Sequence, residues 1–114
     1  MLKPLALAVL CLASPALAQH PTLFQDLGFK EAQELAKKEN KLMLLDAMTS
    51  WCGPCKVMDK TTWVDPKVEL WVSKHAIAIQ LDMDEHEELK NRLAVTAFPT
   101  MVLFKADGTE FDRI

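Results

Sequence analysis

The chain has 114 residues, of which half are hydrophobic and a quarter are charged, and its formal net charge at pH 7 is -3. This length fits one domain, and this composition excludes a disordered or low-complexity chain. The acidic balance argues against a general nucleic-acid-binding protein, which would carry a basic face. Three cysteines are too few for a small fold held together mainly by disulfide bonds.

The first 18 residues have the layout of a secretory signal peptide. A lysine provides a short positive region, residues 5–13 form an apolar run, and the small residues Ala16 and Ala18 precede the expected cleavage point. The apolar run is too short to cross a bilayer core, which takes about 20 residues. We therefore expect an exported chain, periplasmic or secreted, whose mature form begins at residue 19 and does not span a membrane.

The rest of the chain alternates predicted helices and strands. Helical spacing of apolar residues, with end signals such as Asn40 and Asp65 followed by Pro66, predicts four helices. Short apolar runs predict three strands, and an Ala-Asp-Gly turn predicts a fourth strand that returns antiparallel. In chain order these elements are a helix over 29–39, a strand over 42–47, a helix over 53–60, a helix over 66–74, a strand over 76–81, a helix over 85–93, a strand over 101–104 and a strand over 109–114. This order predicts an α/β fold with a mixed central sheet flanked by helices.

Several side chains have a predicted place in this fold. Val68, Trp71 and Val72 are expected to face inward from the third helix, and Trp63 is expected in or near the core. The acidic residues between 82 and 88 are interpreted as a solvated helix start rather than a calcium site. Since the chain stops inside the last strand, one sheet face would lack a covering helix. Either the domain is truncated at its C-terminus or a partner covers that face, and we expect the truncation.

The WCGPCK motif at residues 51–56 holds the two cysteines that remain once Cys11 is removed with the leader. Cysteines at i and i+3 in the first turn of a helix share a face, so the Cys52 and Cys55 sulfurs can come within bonding distance. Backbone N–H groups at a helix N-terminus stabilise an anion, so we expect a lowered pKa for the Cys52 thiol. Cys55 lies one turn inside and should be less exposed. Pro54 is tolerated here because its missing N–H would have no helical partner.

Other uses of a cysteine pair fit less well. A zinc site needs two more ligands, and the histidines have no paired spacing. Covalent haem attachment needs a histidine where Lys56 stands. A purely structural disulfide would close a very short loop and so add little stability. A copper carrier that combines the pair with Met48, Met58 or a histidine stays open as the alternative function, because thiolate and thioether are soft ligands.

With these residues in this order, the sequence resembles the thioredoxin family over residues 29–114. The resemblance rests on Asp46, which lies six residues before Cys52, on the WCGPC motif, and on the Phe-Pro-Thr segment at 98–100 ahead of an apolar strand. Residues 55–68 are similar to bacterial periplasmic thioredoxin-like proteins, in particular to the soluble domain of membrane-linked thiol:disulfide interchange reductases. The resemblance implies a thioredoxin-like fold whose last helix is absent here.

The resemblance implies a catalytic set. Cys52 would attack a substrate disulfide, and Cys55 would resolve the mixed disulfide. Asp46 matches the buried acid of the family, which would have a raised pKa and would take or give the proton of Cys55. The chain departs from the family pattern at Gln80, where many thioredoxins have lysine, and at Lys60, where they often have a helix-kinking proline.

The resemblance also implies a substrate-binding rim. Pro99 matches the cis-proline of the family and would expose the backbone of Phe98 for strand-like pairing with substrate. Trp51 would shield the disulfide and contact substrate. Gly53 and Pro54, between the cysteines, complete the rim and resemble the reducing members of the family.

The expected function is therefore thiol:disulfide exchange on protein disulfides in the periplasm, in the reducing direction. The expected redox group is the cysteine pair itself, with no other cofactor and no metal. The expected partners are proteins that carry disulfides and a membrane electron donor that keeps the pair reduced, with no nucleic acid.

Overall fold

The computed structural model describes residues 20–114, so the predicted signal peptide over 1–18 lies outside the described residues. The elements are α1 (Phe29–Glu39), β1 (Leu42–Met48), α2 (Gly53–Lys60), α3 (Pro66–His75), β2 (Ala76–Asp82), α4 (Glu87–Arg92), β3 (Thr100–Phe104) and β4 (Glu110–Arg113). Two short 3-10 helices, Thr62–Val64 and Met83–Glu85, lie between them. The predicted order of helices and strands is confirmed, and most boundaries agree within one or two residues.

The four strands form one mixed sheet in the order β2-β1-β3-β4. β1 pairs in parallel with β2 and antiparallel with β3, and β3 pairs antiparallel with β4. β1 therefore lies at the centre of the sheet, and its residues 43–47 are buried. A polar side chain on this strand has no access to water and must find its partners inside the protein.

Local signals in the sequence set the helix ends. Asn40 ends α1 in the left-handed conformation, with a φ of 52°, and its N–H donates to the Ala36 and Lys37 carbonyls. Asp65 caps α3, because its carboxylate accepts a hydrogen bond of 2.8 Å from the Lys67 N–H. Both predicted helix ends are confirmed.

The inward orientation predicted for Trp71 is wrong. Trp71 is 45% exposed, whereas Val72 beside it is buried. The Trp71 ring packs against His75, one turn further along α3, with 5.1 Å between ring centroids. Trp63 is the buried tryptophan of this region, as predicted, and its ring packs edge to face with that of Phe24, with 5.1 Å between ring centroids. The buried stripe of α3 is thus narrower than its apolar sequence indicates.

The helix predicted over 85–93 begins two residues later than expected, at Glu87. Asp82 accepts a hydrogen bond from the Asp84 N–H and caps a 3-10 helix over Met83–Glu85 instead. The backbone of His86, with φ -136° and ψ 54°, is not helical. α4 therefore begins at residue 87. The hydrogen bond of the Asp82 side chain thus favours a short 3-10 turn over an earlier start of the α-helix.

The core has two parts, one on each face of the sheet. Leu45, Ile79 and Val102 contribute to the part that lies under α1 and α4. The opposite part contains Phe24, Leu44, Trp63, Val72, Ala76 and Ala78. On this second face an apolar groove of about 250 Å³, lined by residues that include Met101, Leu103 and Ile114, lies open beside the core. Within residues 20–114, no helix combines the length and the hydropathy needed to cross a membrane.

Candidate functional site

The two cysteines lie at the N-terminus of α2, directly beyond the loop that follows β1. Cys52 is the N-cap residue, and the Cys55 N–H donates to its sulfur at 3.2 Å. The two residues form a disulfide with 5.3 Å between their Cα atoms. Pro54 occupies the first turn. The predicted arrangement of two joined sulfurs at a helix start is therefore confirmed, and the backbone donor at this helix end is aimed at the sulfur of Cys52.

Both cysteines are almost covered in this oxidised form. Cys52 is 3% exposed and Cys55 is 1% exposed, so Cys55 is less exposed as predicted, but by a small margin. The Cys52 sulfur accepts the Cys55 N–H at the helix end. Gly53, Pro54 and Trp51 are exposed beside the pair. An attacking sulfur would therefore approach Cys52 across this exposed rim.

The rim continues onto the loop before β3, where the Phe98–Pro99 peptide bond is cis. The Trp51 and Phe98 rings meet edge to face, with 6.0 Å between centroids. The Trp51 indole N–H also donates to the Asp84 carboxylate at 2.7 Å. The structure thus brings together Trp51, Phe98 and Pro99 as expected, and it adds Asp84. The sequence assigned this acid only to a solvated helix start, and nothing in its local pattern indicates a contact 33 residues away.

Asp46 lies in the middle of β1, and its side chain is fully buried. Its Oδ2 accepts a hydrogen bond of 2.9 Å from Gln80 Nε2, whereas its Oδ1 has no hydrogen-bond partner. Burial raises the pKa of Asp46 to about 6, and the neighbouring Asp59 carboxylate adds to this rise. The Gln80 hydrogen bond and the nearby Trp63 indole lower the pKa and so limit the rise. The prediction of a buried acid with a raised pKa agrees with these values.

Gln80 links Asp46 to a second acid that the sequence reasoning missed. The same Gln80 nitrogen donates to Asp59 Oδ1 at 2.8 Å. Asp59 lies on α2, four residues after Cys55, which places the two side chains on one face of the helix. That spacing was the available signal for Asp59. The Trp63 indole, which lowers the Asp46 pKa although its nitrogen makes no hydrogen bond, had no such signal, because it comes from the 3-10 helix after α2.

The copper alternative depends on soft ligands near the pair. Met58 instead packs against the apolar core that contains Trp63, and Met48 is the half-buried last residue of β1. Within the described part of the chain, no group of three or more His, Cys, Asp or Glu side chains is arranged to hold a metal ion. No observation therefore favours the carrier over thiol chemistry.

Comparison with known proteins agrees with this geometry. A family model described as a thioredoxin-like domain matches residues 29–114. Thioredoxin from Echinococcus granulosus is 34% identical over 86 residues, which cover 74% of this chain and 74% of that protein. The solved structure of a candidate disulphide isomerase from Bacteroides thetaiotaomicron is 34% identical with a TM-score of 0.70, covering 84% of this chain and 82% of that chain. A DsbH oxidoreductase shares the fold, with a TM-score of 0.71 at 24% identity over 88% of this chain and 76% of that one.

Proposed function

Because the chain belongs to the thioredoxin-like domain family and is a thiol–disulfide oxidoreductase with a Cys52–Cys55 redox centre, we propose that it reduces protein disulfides in the periplasm. The observation that carries the proposal is the hydrogen bond from the Cys55 N–H to the Cys52 sulfur. A backbone donor at a helix N-terminus stabilises negative charge on that sulfur, and the thiolate is the nucleophile of disulfide exchange.

The reaction begins from the reduced pair. The Cys52 thiolate attacks one sulfur of a substrate disulfide, forms a mixed disulfide, and displaces the other substrate sulfur as a thiolate that takes a proton from water. The Cys55 thiol then loses its proton and attacks Cys52. The Cys52–Cys55 bond re-forms, and the second substrate sulfur leaves and is protonated. Two electrons thus pass from the cysteine pair to the substrate.

Asp46 is the proposed acceptor of the Cys55 proton. Its carboxyl is buried, has a pKa of about 6 and keeps one oxygen without a partner. A carboxyl with this pKa is largely ionised at pH 7 and can both take and return a proton near that pH. We therefore assign Asp46 as the general base of the resolving step and as the general acid of its reverse.

The exposed rim is the proposed binding surface for substrate. Trp51 and Phe98 offer an aromatic surface beside the disulfide, and the backbone at Phe98 and Pro99 would pair with an extended substrate segment. Gly53 and Pro54 carry no large side chains that would block this approach. A folded protein whose disulfide lies in an accessible strand or loop is the substrate class that fits.

An insulin reduction assay tests the activity, with dithiothreitol as the electron source. The wild-type chain should accelerate precipitation of the insulin B chain, whereas Cys52→Ser should reduce the rate to background. Cys55→Ser should accumulate a mixed disulfide with substrate, which mass spectrometry detects. If wild type gives no acceleration, and the pair is reduced only by a very strong reductant, the disulfide is structural and the proposal is wrong.

Export and re-reduction by a membrane electron donor are the remaining parts of the proposal. They are supported by the apolar leader over residues 5–13 and by the small residues before position 19. In a Gram-negative host, the wild-type chain should be recovered from the periplasm with an N-terminus at Gln19. Leu7→Arg, which places a charge in the leader, should retain the uncut chain in the cytoplasm. Recovery of uncut wild type from the cytoplasm would contradict export.

A further inference from the structure

We propose that Gln80 is a positioning residue of the redox site, whose side-chain amide bridges the Asp46 and Asp59 carboxyls and holds Asp46 through one oxygen only. The other Asp46 oxygen accepts no hydrogen bond and so stays free to take a proton. This inference rests on the proposed function, because it concerns the proton acceptor of the same reaction.

The geometry of the bridge determines the orientation of the Gln80 side-chain amide. Gln80 Nε2 lies 2.9 Å from Asp46 Oδ2 and 2.8 Å from Asp59 Oδ1, so each of its two hydrogens has a carboxylate acceptor. The opposite orientation of the amide would direct its oxygen at two acids, which is repulsive. Gln80 is the direct register partner of Asp46 across the parallel pair β1 and β2, so the sheet itself holds the amide beside the acid.

The bridge matters because of the charges around Asp46. Asp59 on α2 is the charged group that acts on Asp46, and its carboxylate opposes ionisation. The other neighbours are neutral: β2 contributes Gln80, β3 contributes Met101 opposite Asp46, and the 3-10 helix contributes Trp63. The cysteines of α2 become titratable when the pair is reduced. Gln80 is thus a neutral donor that stabilises the Asp46 anion without neutralising it, so the acid can still gain and lose a proton.

Two variants separate the effect of the Gln80 hydrogen-bond donor on Asp46 from the effect of the Asp59 charge. Gln80→Met keeps the length of the side chain and removes both hydrogens. Asp59→Asn keeps an oxygen that can accept from Gln80 and removes the charge. Gln25→Met is the matched control, because Gln25 is exposed and its side chain makes no hydrogen bond with any described residue. Each is made in the 114-residue chain.

The readouts are the pKa of the Asp46 carboxyl, from ¹³C NMR titration of the oxidised chain, and the pH profile of insulin reduction. Gln80→Met should move the Asp46 pKa and the acidic limb of the profile upward by about one pH unit, because the anion loses its donor. Asp59→Asn should move both downward, since the like charge is gone. Gln25→Met should move neither.

If Gln80 and Asp59 only supported the fold, the two variants would not shift the Asp46 pKa in opposite directions. Unchanged Asp46 titration in both variants would overturn the bridge, even if wild type reduces insulin normally. If Gln80→Met does not fold, Gln80→Leu, which also removes both amide hydrogens, takes its place, and an unchanged Asp46 titration there overturns the bridge. An inactive wild type would contradict the proposed function, whereas the NMR titration would still test the bridge.

Discussion

Asp46→Asn is expected to stabilise the oxidised protein at neutral pH and not at acidic pH. Burial raises the pKa of Asp46 from 3.8 to about 6, so the folded state binds this proton more tightly than the unfolded state. Stability therefore falls as pH rises through the interval from 3.8 to 6, and the full cost of the buried charge is present above it. A difference of about two pKa units corresponds to roughly 3 kcal/mol of destabilisation at pH 7.5.

The asparagine removes this cost but introduces one of its own. Its oxygen can accept the Gln80 hydrogen bond, whereas its NH₂ group would face the side where Asp46 Oδ1 has no partner. Leaving that group unpaired costs about 1 kcal/mol. We therefore expect a net gain of about 2 kcal/mol at pH 7.5 and a net loss of about 1 kcal/mol at pH 3.5.

Guanidinium unfolding followed by tryptophan fluorescence measures both values. For an m value of about 3 kcal/mol/M, the midpoint at pH 7.5 should rise by roughly 0.7 M. Asp26→Asn, which changes an exposed acid, is the control and should differ little between the two pH values. If Asp46→Asn changes the free energy of unfolding equally at pH 3.5 and pH 7.5, Asp46 is not a buried charge in the folded protein, and its proposed role as a base loses its support.

Three further predictions follow from side chains and backbone near the sheet. Trp51→Ala should raise the KM for insulin by about fivefold, while the free energy of unfolding changes by less than about 0.5 kcal/mol, because the side chain is 67% exposed and contacts Phe98 and Asp84 at the rim; an unchanged KM would remove Trp51 from the binding surface. Trp63→Ala should cost about 3–5 kcal/mol in unfolding experiments, because it empties a buried site of the core; a loss below about 1 kcal/mol would mean that the ring is not packed there. Gly108→Ala should cost about 1 kcal/mol, because Gly108 has a φ of 93° in the turn before β4; a neutral effect in thermal unfolding would show that the turn adopts another conformation.

The fold and the cysteine geometry could be predicted because their signals are local. Asn40 and Asp65 mark helix ends through bonds to residues a few positions away. The spacing of Cys52 and Cys55 is enough to place both sulfurs in one helical turn. The resemblance to thioredoxins then supplied Asp46 and the cis bond before Pro99, which composition and periodicity do not contain.

The contacts that tune the site could not be predicted in the same way. Asp59 and Gln80 meet across 21 residues of chain, and Trp51 meets Asp84 across 33. Each pairing depends on how α2 and the loops pack against the sheet. A short stretch of sequence does not contain that information. The prediction that Trp71 faces inward is wrong for a related reason. Helical spacing alone does not indicate how wide the buried face of α3 is.

The sulfur of Cys52 serves at once as the cap of α2 and as half of the redox pair. A thiolate accepts a hydrogen bond more strongly than a disulfide sulfur does, so gaining two electrons also tightens the first turn of this helix. The amide proton of Cys55 is therefore a natural reporter: its chemical shift and its exchange with solvent record whether the chain is carrying electrons or has delivered them.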